Sequence, residues 1–396
     1  MGGTGWVRGV VFGVAVVLVV AGCSKADRAV LGAPRCPDGG RGARTAPAVA
    51  RPGAVWTWAA HFGAPAGAEE RRAVPGWSDV VSVADSGYTT VAVRADGTVW
   101  SYGVNVDGSL GHGVRERGYE AEPRQVAGIG PARAVHNSGS TFYVVLRDGG
   151  VVAWGADRFL VQAGRRQGYD GVSVPQRVPG ARNVVAMGPG LLNSFALRAD
   201  GRVVGWGVNL TDVLGDTDGT RLRTVGGVSG AVGVASAGEA VVAVRADGRV
   251  CAWGGNAHGL LGVEPRGGQT GRPVRVPGPT HAVQVAGGDD VAYALDRDGA
   301  VWAWGRGASG ALGDGDASDH ASARPARVAG LPRIKRIAAY QLTAYAIDTE
   351  GGLWGWGSGL ALGPNAPGGT AVPVRIPLPG PAEDVSGRHV IVGARG

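Results

Sequence analysis

The chain has 396 residues, of which 73, or about 18%, are glycine, against an ordinary share of roughly 7%. Collagen is excluded because no Gly-x-y period runs through the sequence, and a disordered coil is excluded because 44% of the residues are hydrophobic and 12 are tryptophan. The net charge of +7 comes mainly from scattered arginines without a basic run, so we expect no nucleic-acid partner.

The first feature along the chain is an apolar run over residues 10–20. It has the length of a signal-peptide core and is shorter than the roughly 20 residues that span a bilayer. The sequence VAGC that ends at Cys23 resembles a bacterial lipobox, with cleavage before Cys23 and lipid attachment to its thiol. We therefore expect residues 1–22 to be a lipoprotein signal peptide and Cys23 to hold the chain on the extracytoplasmic face of the cell membrane. The alternative is an ordinary secretory signal with an incidental cysteine.

The next segment, residues 23–50, is rich in Ala, Arg, Gly and Pro without periodicity, which predicts a flexible tether. Cys36 lies in this tether, and Cys251 lies in a strand-like segment. Outside the cytoplasm the two could form a disulfide. A buried free thiol at Cys251 beside an unpaired Cys36 is the alternative, and both interpretations stay open.

Residues 51–396 contain seven copies of one motif, in which Asp-Gly or a similar pair precedes an alternating segment that ends in Trp-Gly. Asp-Gly supplies the positive φ angles of a tight hairpin turn, and the alternation predicts a strand with small residues on one face and large ones on the other. A Gly-x-Leu-Gly step and a Pro-x-x-Val strand start follow in most copies. The last aromatic residues of the copies are Trp58, Tyr102, Trp154, Trp206, Trp253, Trp304 and Trp356.

These motifs together resemble the regulator of chromosome condensation repeat family. The resemblance rests on the strand motif, on YGVNVDGSLG from Tyr102 and WGGNAHGLLG from Trp253, and on the later Pro-x-x-Val. It implies an all-β, seven-bladed β-propeller, which we expect to be monomeric. Independently, the residues after Trp356 and those before Trp58 together make about one repeat. The C-terminal segment GRHVIVGARG is therefore predicted to pair with the strand over Pro52–Ala59 and to close the ring.

One departure from the family concerns a histidine that members often carry seven residues before the Asp of Asp-Gly. Here those positions hold other residues, so the hydrogen bonds of that histidine must be replaced or absent. The residues are Thr89, Thr141, Asn193, Ala240, Val291 and Thr343.

No catalytic motif is found, and we expect no cofactor, no metal ion and no catalytic residue. The seven histidines are spread singly, and H-E-x-x-H, C-x-x-C and G-x-S-x-G are all missing from the sequence. The stretch Asp314–Asp319 begins like a calcium loop but has Pro325 where the bidentate Glu belongs, so we interpret it as a solvated acidic loop. The adjacent Asp289 and Asp290 have no predicted cleft to shift their pKa values.

The candidate binding residues lie where the copies differ, because insertions in repeat proteins form loops on one face, often the binding face. Two such loops begin at His112 and Ala156 and contain the Tyr, Phe and Arg side chains that are common at protein interfaces. Ordinary loop variation is the alternative. The candidate partner-binding residues are Tyr119, Phe159, Arg165, Arg166 and Tyr169.

We expect a non-enzymatic, lipid-anchored scaffold that binds a protein or a cell-envelope ligand through its loops. Two alternatives remain. The resemblance includes secreted bacterial members that inhibit β-lactamases, and a propeller axis can also host the active site of a lyase or hydrolase. The nuclear nucleotide-exchange role of the family's namesake is incompatible with a lipobox.

Overall fold

The computed structural model describes residues 34–36, 50–58, 61, 72–156, 171–190, 193–215, 221–264, 266–363 and 366–394. These residues form seven four-stranded antiparallel sheets, the blades of a propeller. Blade 1 joins both ends of the chain and consists of β1 (Ala54–Thr57), β2 (Arg72–Ala73), β27 (Ala382–Ser386) and β28 (His389–Val392).

The other blades follow in chain order with four consecutive strands each. Blades 2 to 4 consist of β3 (Val80–Asp85), β4 (Thr89–Arg94), β5 (Val99–Val104), β6 (Tyr119–Gln125); β7 (Ala132–Ser138), β8 (Thr141–Leu146), β9 (Val151–Gly155), β10 (Val172–Arg177); β11 (Val184–Pro189), β12 (Asn193–Arg198), β13 (Val203–Gly207) and β14 (Arg223–Thr224).

Blades 5 to 7 repeat the same plan. A short helix, α1 (Gly359–Leu362), and a 3-10 turn at Ala308–Gly310 lie in loops of blades 7 and 6. The strands are β15 (Ala231–Ala237), β16 (Ala240–Arg245), β17 (Val250–Gly255), β18 (Gln269–Arg275); β19 (Ala282–Gly287), β20 (Val291–Asp296), β21 (Val301–Arg306), β22 (Ala321–Arg327); β23 (Ile334–Tyr340), β24 (Thr343–Asp348), β25 (Leu353–Gly357) and β26 (Thr370–Ile376).

The ring closes as predicted, by pairing of strands from the two ends of the chain. β1 pairs antiparallel with β28, with Ala54 opposite Val392 and Thr57 opposite His389. The first strand of each blade in the order from the axis, β27, β3, β7, β11, β15, β19 or β23, contacts its counterpart in the next blade all the way round. The all-β, seven-bladed propeller is therefore confirmed. Blade 1, built from both ends of the chain, fills the ring between blade 7 and blade 2.

The Asp-Gly turns form as the sequence predicts and define one face of the disc, which we call the turn face. Gly97 has a φ of +91°, and the side chain of Asp96 accepts a hydrogen bond from the backbone N–H of Thr98 at 2.8 Å. Glycine tolerates this backbone conformation without strain. The loops between the third and fourth strands lie at the opposite ends of the strands, on what we call the loop face.

A buried indole joins each of five blades to the blade before it. The ring nitrogen of Trp304 in blade 6 donates a hydrogen bond to the carbonyl oxygen of Leu260 in blade 5, 2.9 Å away. Leu260 belongs to the Gly-x-Leu-Gly step, and a Cβ atom on the last glycine of such a step, Gly313, would lie 2.9 Å from the indole nitrogen of Trp356. The step therefore makes room for the neighbouring indole. The equivalent bonds, at 2.8–3.1 Å, are Trp58–Ala361, Trp154–Ser109, Trp253–Val213 and Trp356–Ala311.

We expect Trp304→Phe to lower the free energy of unfolding by about 1–3 kcal/mol, because the buried carbonyl of Leu260 loses its donor. Trp302→Phe is the matched control, since this part-buried indole lies on the same face of the same strand and its hydrogen bond, to Asp296, stays within blade 6. Equal losses for both variants in urea denaturation would argue against an inter-blade role for the Trp304 hydrogen bond.

The cysteines form a disulfide between Cys36 and Cys251, with their Cα atoms 5.9 Å apart. This outcome decides between the two interpretations left open by the sequence. Residues 34–36 also pair with the outer strand of blade 5, where Cys36 N donates to the carbonyl of Pro273 at 3.0 Å. The expected flexible tether therefore does not describe residues 34–36, and the remainder of that segment, like the predicted signal peptide, lies outside the described residues.

Candidate functional site

The loop over residues 105–118, between β5 and β6, is held in shape by one buried asparagine. The amide nitrogen of Asn105 donates to the carbonyl oxygens of Val114 at 3.0 Å and Glu116 at 2.9 Å, and its amide oxygen accepts from the N–H of Leu110 at 3.1 Å. Asn105 occupies the Asn of the W-G-x-N motif, and Asn209 and Asn256 accept the corresponding N–H bonds in blades 4 and 5. The motif thus organises the loops of the loop face.

This loop contacts blade 3 at the place where the second candidate loop rejoins the described chain. The N–H of Gly113 donates to the carbonyl of Ser173 at 2.8 Å, and a Cβ atom on Gly171 would lie 2.3 Å from the carbonyl oxygen of Asp107. The first candidate loop therefore adjoins residues 171–174, the described end of the second one. Tyr119 is the half-buried first residue of β6. The other candidates, Phe159, Arg165, Arg166 and Tyr169, lie outside the described residues, as does Cys23.

Two valines that the sequence analysis did not single out complete this surface. Val114 is 50% exposed and Val174 is 46% exposed, and a Cβ atom on Gly113 would lie 3.7 Å from a methyl group of Val174. The exposed side chains of Arg115 and Arg117 follow Val114 in the same loop. Apolar groups with a polar and arginine-containing rim are typical of protein-binding surfaces. We call Val114, Arg115, Arg117, Tyr119 and Val174 the loop patch.

We expect Asn105→Ala to release the loop patch without unfolding the propeller. The variant loses three hydrogen bonds to the loop, each contributing about 0.5–1.5 kcal/mol, while the strands keep theirs. Hydrogen exchange should accelerate at residues 106–118 and stay unchanged in β4 and β5. Exchange that accelerates equally in those strands would contradict a local role for Asn105.

A second group of polar side chains lies fully buried between blades 1 and 2. One carboxylate oxygen of Asp85 lies 3.5 Å from Nε of Arg388 and 3.4 Å from Nδ1 of His389, and the other accepts from the N–H of Gly87 at 2.8 Å. Nε2 of His389 lies 2.6 Å from the hydroxyl of Tyr102. We call this group, with His61 and Thr90, the seam cluster: His61, Asp85, Thr90, Tyr102, Arg388 and His389.

The environment of the seam cluster shifts several pKa values. Burial acts to raise the pKa of Asp85, but the charges of His389 and Arg388 and the hydrogen bond from His389 outweigh it and hold that pKa below its ordinary range. Burial, with the nearby His389, lowers the pKa of His61 to about 3. Burial and the charge of Asp85 raise the pKa of Tyr102. The carboxylate is thus ionised and His61 neutral near pH 7.

The seam cluster fastens the ring closure. Arg388 and His389 lie in the turn and strand that end the chain's last hairpin, whereas Asp85 ends the inner strand of blade 2. The side chains of the cluster are closely packed, with Asp85 0% and Arg388 3% exposed. The hydroxyl of Ser386, in blade 1, also accepts a hydrogen bond from the N–H of Asp85 at 3.2 Å. A cluster without solvent access acts structurally rather than on a substrate.

At four of the six positions that depart from the family's histidine, the side chain makes a local hydrogen bond of its own; Ala240 and Val291 have none to make. Thr89 Oγ1 donates to the carbonyl of Val104 at 2.6 Å, and Thr343 Oγ1 donates to that of Ser358 at 3.0 Å. Thr141 bonds the carbonyl of Ala156 in the same way, and Asn193 reaches that of Val208. Short polar side chains thus tie the second strand of four blades to the end of the third strand.

Acidic residues gather at the axial end of the loop face, in the turn between β19 and β20. Burial and the neighbouring Asp290 raise the pKa of Asp289, and Nδ1 of His258 lies 3.5 Å from a carboxylate oxygen of Asp290. The described residues contain no group of three or more His, Cys, Asp or Glu placed to hold a metal ion.

A cleft of about 670 Å³ lies on the turn face of blade 7. Its lining includes Glu350, Arg375 and Pro381.

The other charged motifs of the sequence have local partners. Arg327 stacks over the ring of Trp302 at 5.1 Å, and Arg177 pairs with Asp148 at 3.3 Å. In the acidic loop, Nε2 of His320 lies 2.9 Å from a carboxylate oxygen of Asp314.

Over the ranges that the structure describes, no helix has the length and hydrophobicity to cross a bilayer.

Comparisons with known proteins agree with this architecture. A family profile described as RCC1-like domain matches residues 42–394. The regulator of chromosome condensation of Xenopus laevis is 24% identical over 309 residues, covering 72% of each chain. The E3 ubiquitin-protein ligase HERC2 of Mus musculus is 29% identical over 298 residues, which are 70% of this chain but 6% of that protein.

Solved structures are similar over most of the chain. Prp20p from Saccharomyces cerevisiae superposes with a TM-score of 0.73 at 22% identity, covering 89% of this chain and 94% of that one. Human WBSCR16 gives a TM-score of 0.74 at 24% identity, covering 87% and 99%. At these identities the likeness concerns the fold.

Proposed function

Because the chain belongs to the family of RCC1-like domains, we propose that it is a non-enzymatic scaffold that binds a protein partner through the loop patch. In this proposal a lipid on Cys23 holds it outside the cytoplasm. The observation that carries the binding role is the contact between the loop over residues 105–118 and the start of β10, which places the exposed Val114 and Val174 on one surface with Arg115 and Arg117. We assign no catalytic step, since the acidic pair Asp289 and Asp290 lies in a turn and the seam cluster is buried.

The disulfide supports the extracytoplasmic location. Disulfides form and persist in oxidising compartments and are rare in the cytosol of mesophiles. The bond joins Cys36, just after the predicted lipidated segment, to the fully buried Cys251. Both this disulfide and the lipobox-like sequence that ends at Cys23 are what we expect of a protein exported from the cytoplasm.

The location is tested by labelling native cells with radioactive palmitate and fractionating them. The wild-type chain should incorporate the label and sediment with the membrane, and Cys23→Ala should do neither. A wild-type chain that stays in the soluble fraction without label would overturn the lipid anchor. Alkylation of the unreduced protein should leave Cys36 and Cys251 unmodified.

The binding role is tested by crosslinking and affinity capture from the native envelope. Val114→Asp and Tyr119→Ala should each abolish capture of a partner that the wild-type chain captures. Leu360→Asp is the matched control, because Leu360 is also an exposed apolar side chain of the loop face, in blade 7. Loss of the partner in all three variants, or in none, would contradict binding at the loop patch.

A further inference from the structure

The disulfide-linked segment fixes where the N-terminal chain leaves the propeller. Arg35 pairs with Val274, and the N–H of Arg275 donates to the carbonyl of Pro34 at 2.8 Å. These bonds add residues 34–36 to the outer strand β18, near the end of that strand where the chain passes to the turn face. The segment is therefore stapled to the outer edge of blade 5, three blades away from β1 in blade 1.

Exposed cations gather on the turn-face side of blades 5 and 6, with one at the start of blade 7. We call residues 34–36 with their disulfide to Cys251 the staple. Arg275 lies in β18 beside it, where its N–H bonds to Pro34. The side chain of Arg333 lies against the Asp-Gly turn that contains Arg297 and Gly299. All are exposed, and no ion pair among the described residues engages them. We call this set the basic edge: Arg35, Arg275, Arg297, Arg327, Arg333 and Lys335.

Few carboxylates oppose the basic edge. Asp247 already pairs with Arg245 and Arg249, at 3.4 and 3.3 Å. Asp296 is buried, where it accepts from the indole N–H of Trp302 at 3.0 Å. Asp298 is the remaining exposed carboxylate of the same turn. This side of the disc therefore carries a local excess of positive charge beside the place where the N-terminal segment is attached.

We propose that the basic edge docks on an anionic lipid surface, so that the turn face lies against the membrane and the loop patch points away from it. This inference rests on the proposed lipid anchor. Cys36 follows Cys23 by 13 positions in the chain, and a chain of that length reaches at most about 45 Å when extended. The staple thus keeps the basic edge, and not the loop patch, closest to the bilayer.

The staple and the charges act together. A short link holds a surface at a high local concentration near its target, and each arginine or lysine close to an anionic surface strengthens binding about fivefold at ordinary ionic strength. Cutting the disulfide would lengthen the link from Cys23 to the first residues of the propeller to 27 residues, at Ala50. The orientation is therefore set by a covalent bond and by charge.

The test is arginine footprinting of the full-length protein reconstituted in vesicles. Phenylglyoxal modifies exposed guanidinium groups, and mass spectrometry gives its rate at each arginine. In vesicles of phosphatidylcholine with phosphatidylglycerol, the rates at Arg275, Arg297 and Arg333 should fall about fivefold or more relative to phosphatidylcholine alone. High salt should restore them. Arg117 and Arg221, exposed on the loop side of blades 2 and 4, are internal controls whose rates should not change.

Equal rates at Arg275 in the two kinds of vesicle, or an equal fall at Arg117, would overturn the proposal. Inorganic phosphate at the same phosphate concentration should give no protection, and a DNA duplex that protects as well as the vesicles would contradict a lipid partner. Failure of the lipid anchor is read separately, from palmitate incorporation. A chain without lipid that still shows protection on phosphatidylglycerol would lose the anchor but keep the docking surface.

Discussion

Acidification from about pH 6.5 to about pH 4 is expected to lower the free energy of unfolding steeply. The pKa of His61 is lowered to about 3, by burial and then by His389, and that of His136 to about 4, by burial and then by Arg133. In the unfolded chain both imidazoles titrate near 6.5. Between these values the unfolded state binds two protons that the folded state does not bind. The free energy of unfolding therefore falls by up to about 2.7 kcal/mol for each unit by which the pH is lowered in this window.

Asp85 does not add to this window. Its folded pKa lies below the ordinary value, so its stabilising contribution is present above the unfolded pKa of about 4 and is lost only in stronger acid. The effect between pH 6.5 and pH 4 thus comes mainly from these two histidines, and His112, whose pKa burial also lowers, adds to it with the same sign. Nε2 of His136 has no hydrogen-bond partner among the described residues, whereas Nε2 of His61 lies 2.8 Å from Thr90 Oγ1.

The measurement is urea denaturation of the wild-type protein and of His61→Gln and His136→Gln at several pH values in this range. Each variant removes one titrating group and should reduce the slope of stability against pH by about half. His320→Gln is the control, since this exposed imidazole pairs with Asp314 and has a raised pKa. A wild-type stability that stays constant between pH 6.5 and pH 4 would contradict the buried, neutral state of both histidines.

The second large effect is expected for Asp85→Ala, which should lower the free energy of unfolding by about 3–5 kcal/mol. The variant leaves the guanidinium of Arg388 buried without its carboxylate and removes the partner of His389 Nδ1. Asp79→Ala is the matched control, because it breaks an ion pair with Arg94 that is about one-third exposed, at 2.7 Å. Such a pair contributes at most about 1 kcal/mol.

Guanidinium chloride denaturation followed by tryptophan fluorescence gives both values. Because the seam cluster joins blades 1 and 2, we also expect hydrogen exchange in Asp85→Ala to accelerate first in β27 and β28. A loss for Asp85→Ala no larger than that for Asp79→Ala would show that the seam cluster does not fasten the ring.

The repeated parts of the fold could be predicted from the sequence because each is dictated locally. Asp-Gly fixes a hairpin turn, the alternation that follows fixes a strand, and seven copies can bury their large faces only against one another. The closing strand GRHVIVG could be found because it resembles the strands that precede Asp-Gly elsewhere. The role of Gly-x-Leu-Gly was not predicted, since the indole it receives lies about 45 residues away in the next blade.

The seam cluster could not be predicted because it departs from the repeat. Asp85 and Arg388 are 303 residues apart, and neither occupies a motif position. The disulfide was left open for a similar reason, since Cys36 and Cys251 are 215 positions apart and the sequence between them does not indicate their distance in space. For the loop patch, the composition of the loops pointed to Tyr119, but Val114 and Val174 become neighbours only when blades 2 and 3 pack together.

The most direct test of the account places a photo-crosslinking amino acid at position 114 in native cells, with position 360 as the control. Both side chains are exposed on the loop face, but only Val114 belongs to the loop patch. We predict one discrete adduct in the membrane fraction from position 114 and none from position 360. No adduct from position 114, or the same adduct from both positions, would contradict a membrane-anchored propeller that binds its partner through the loop patch.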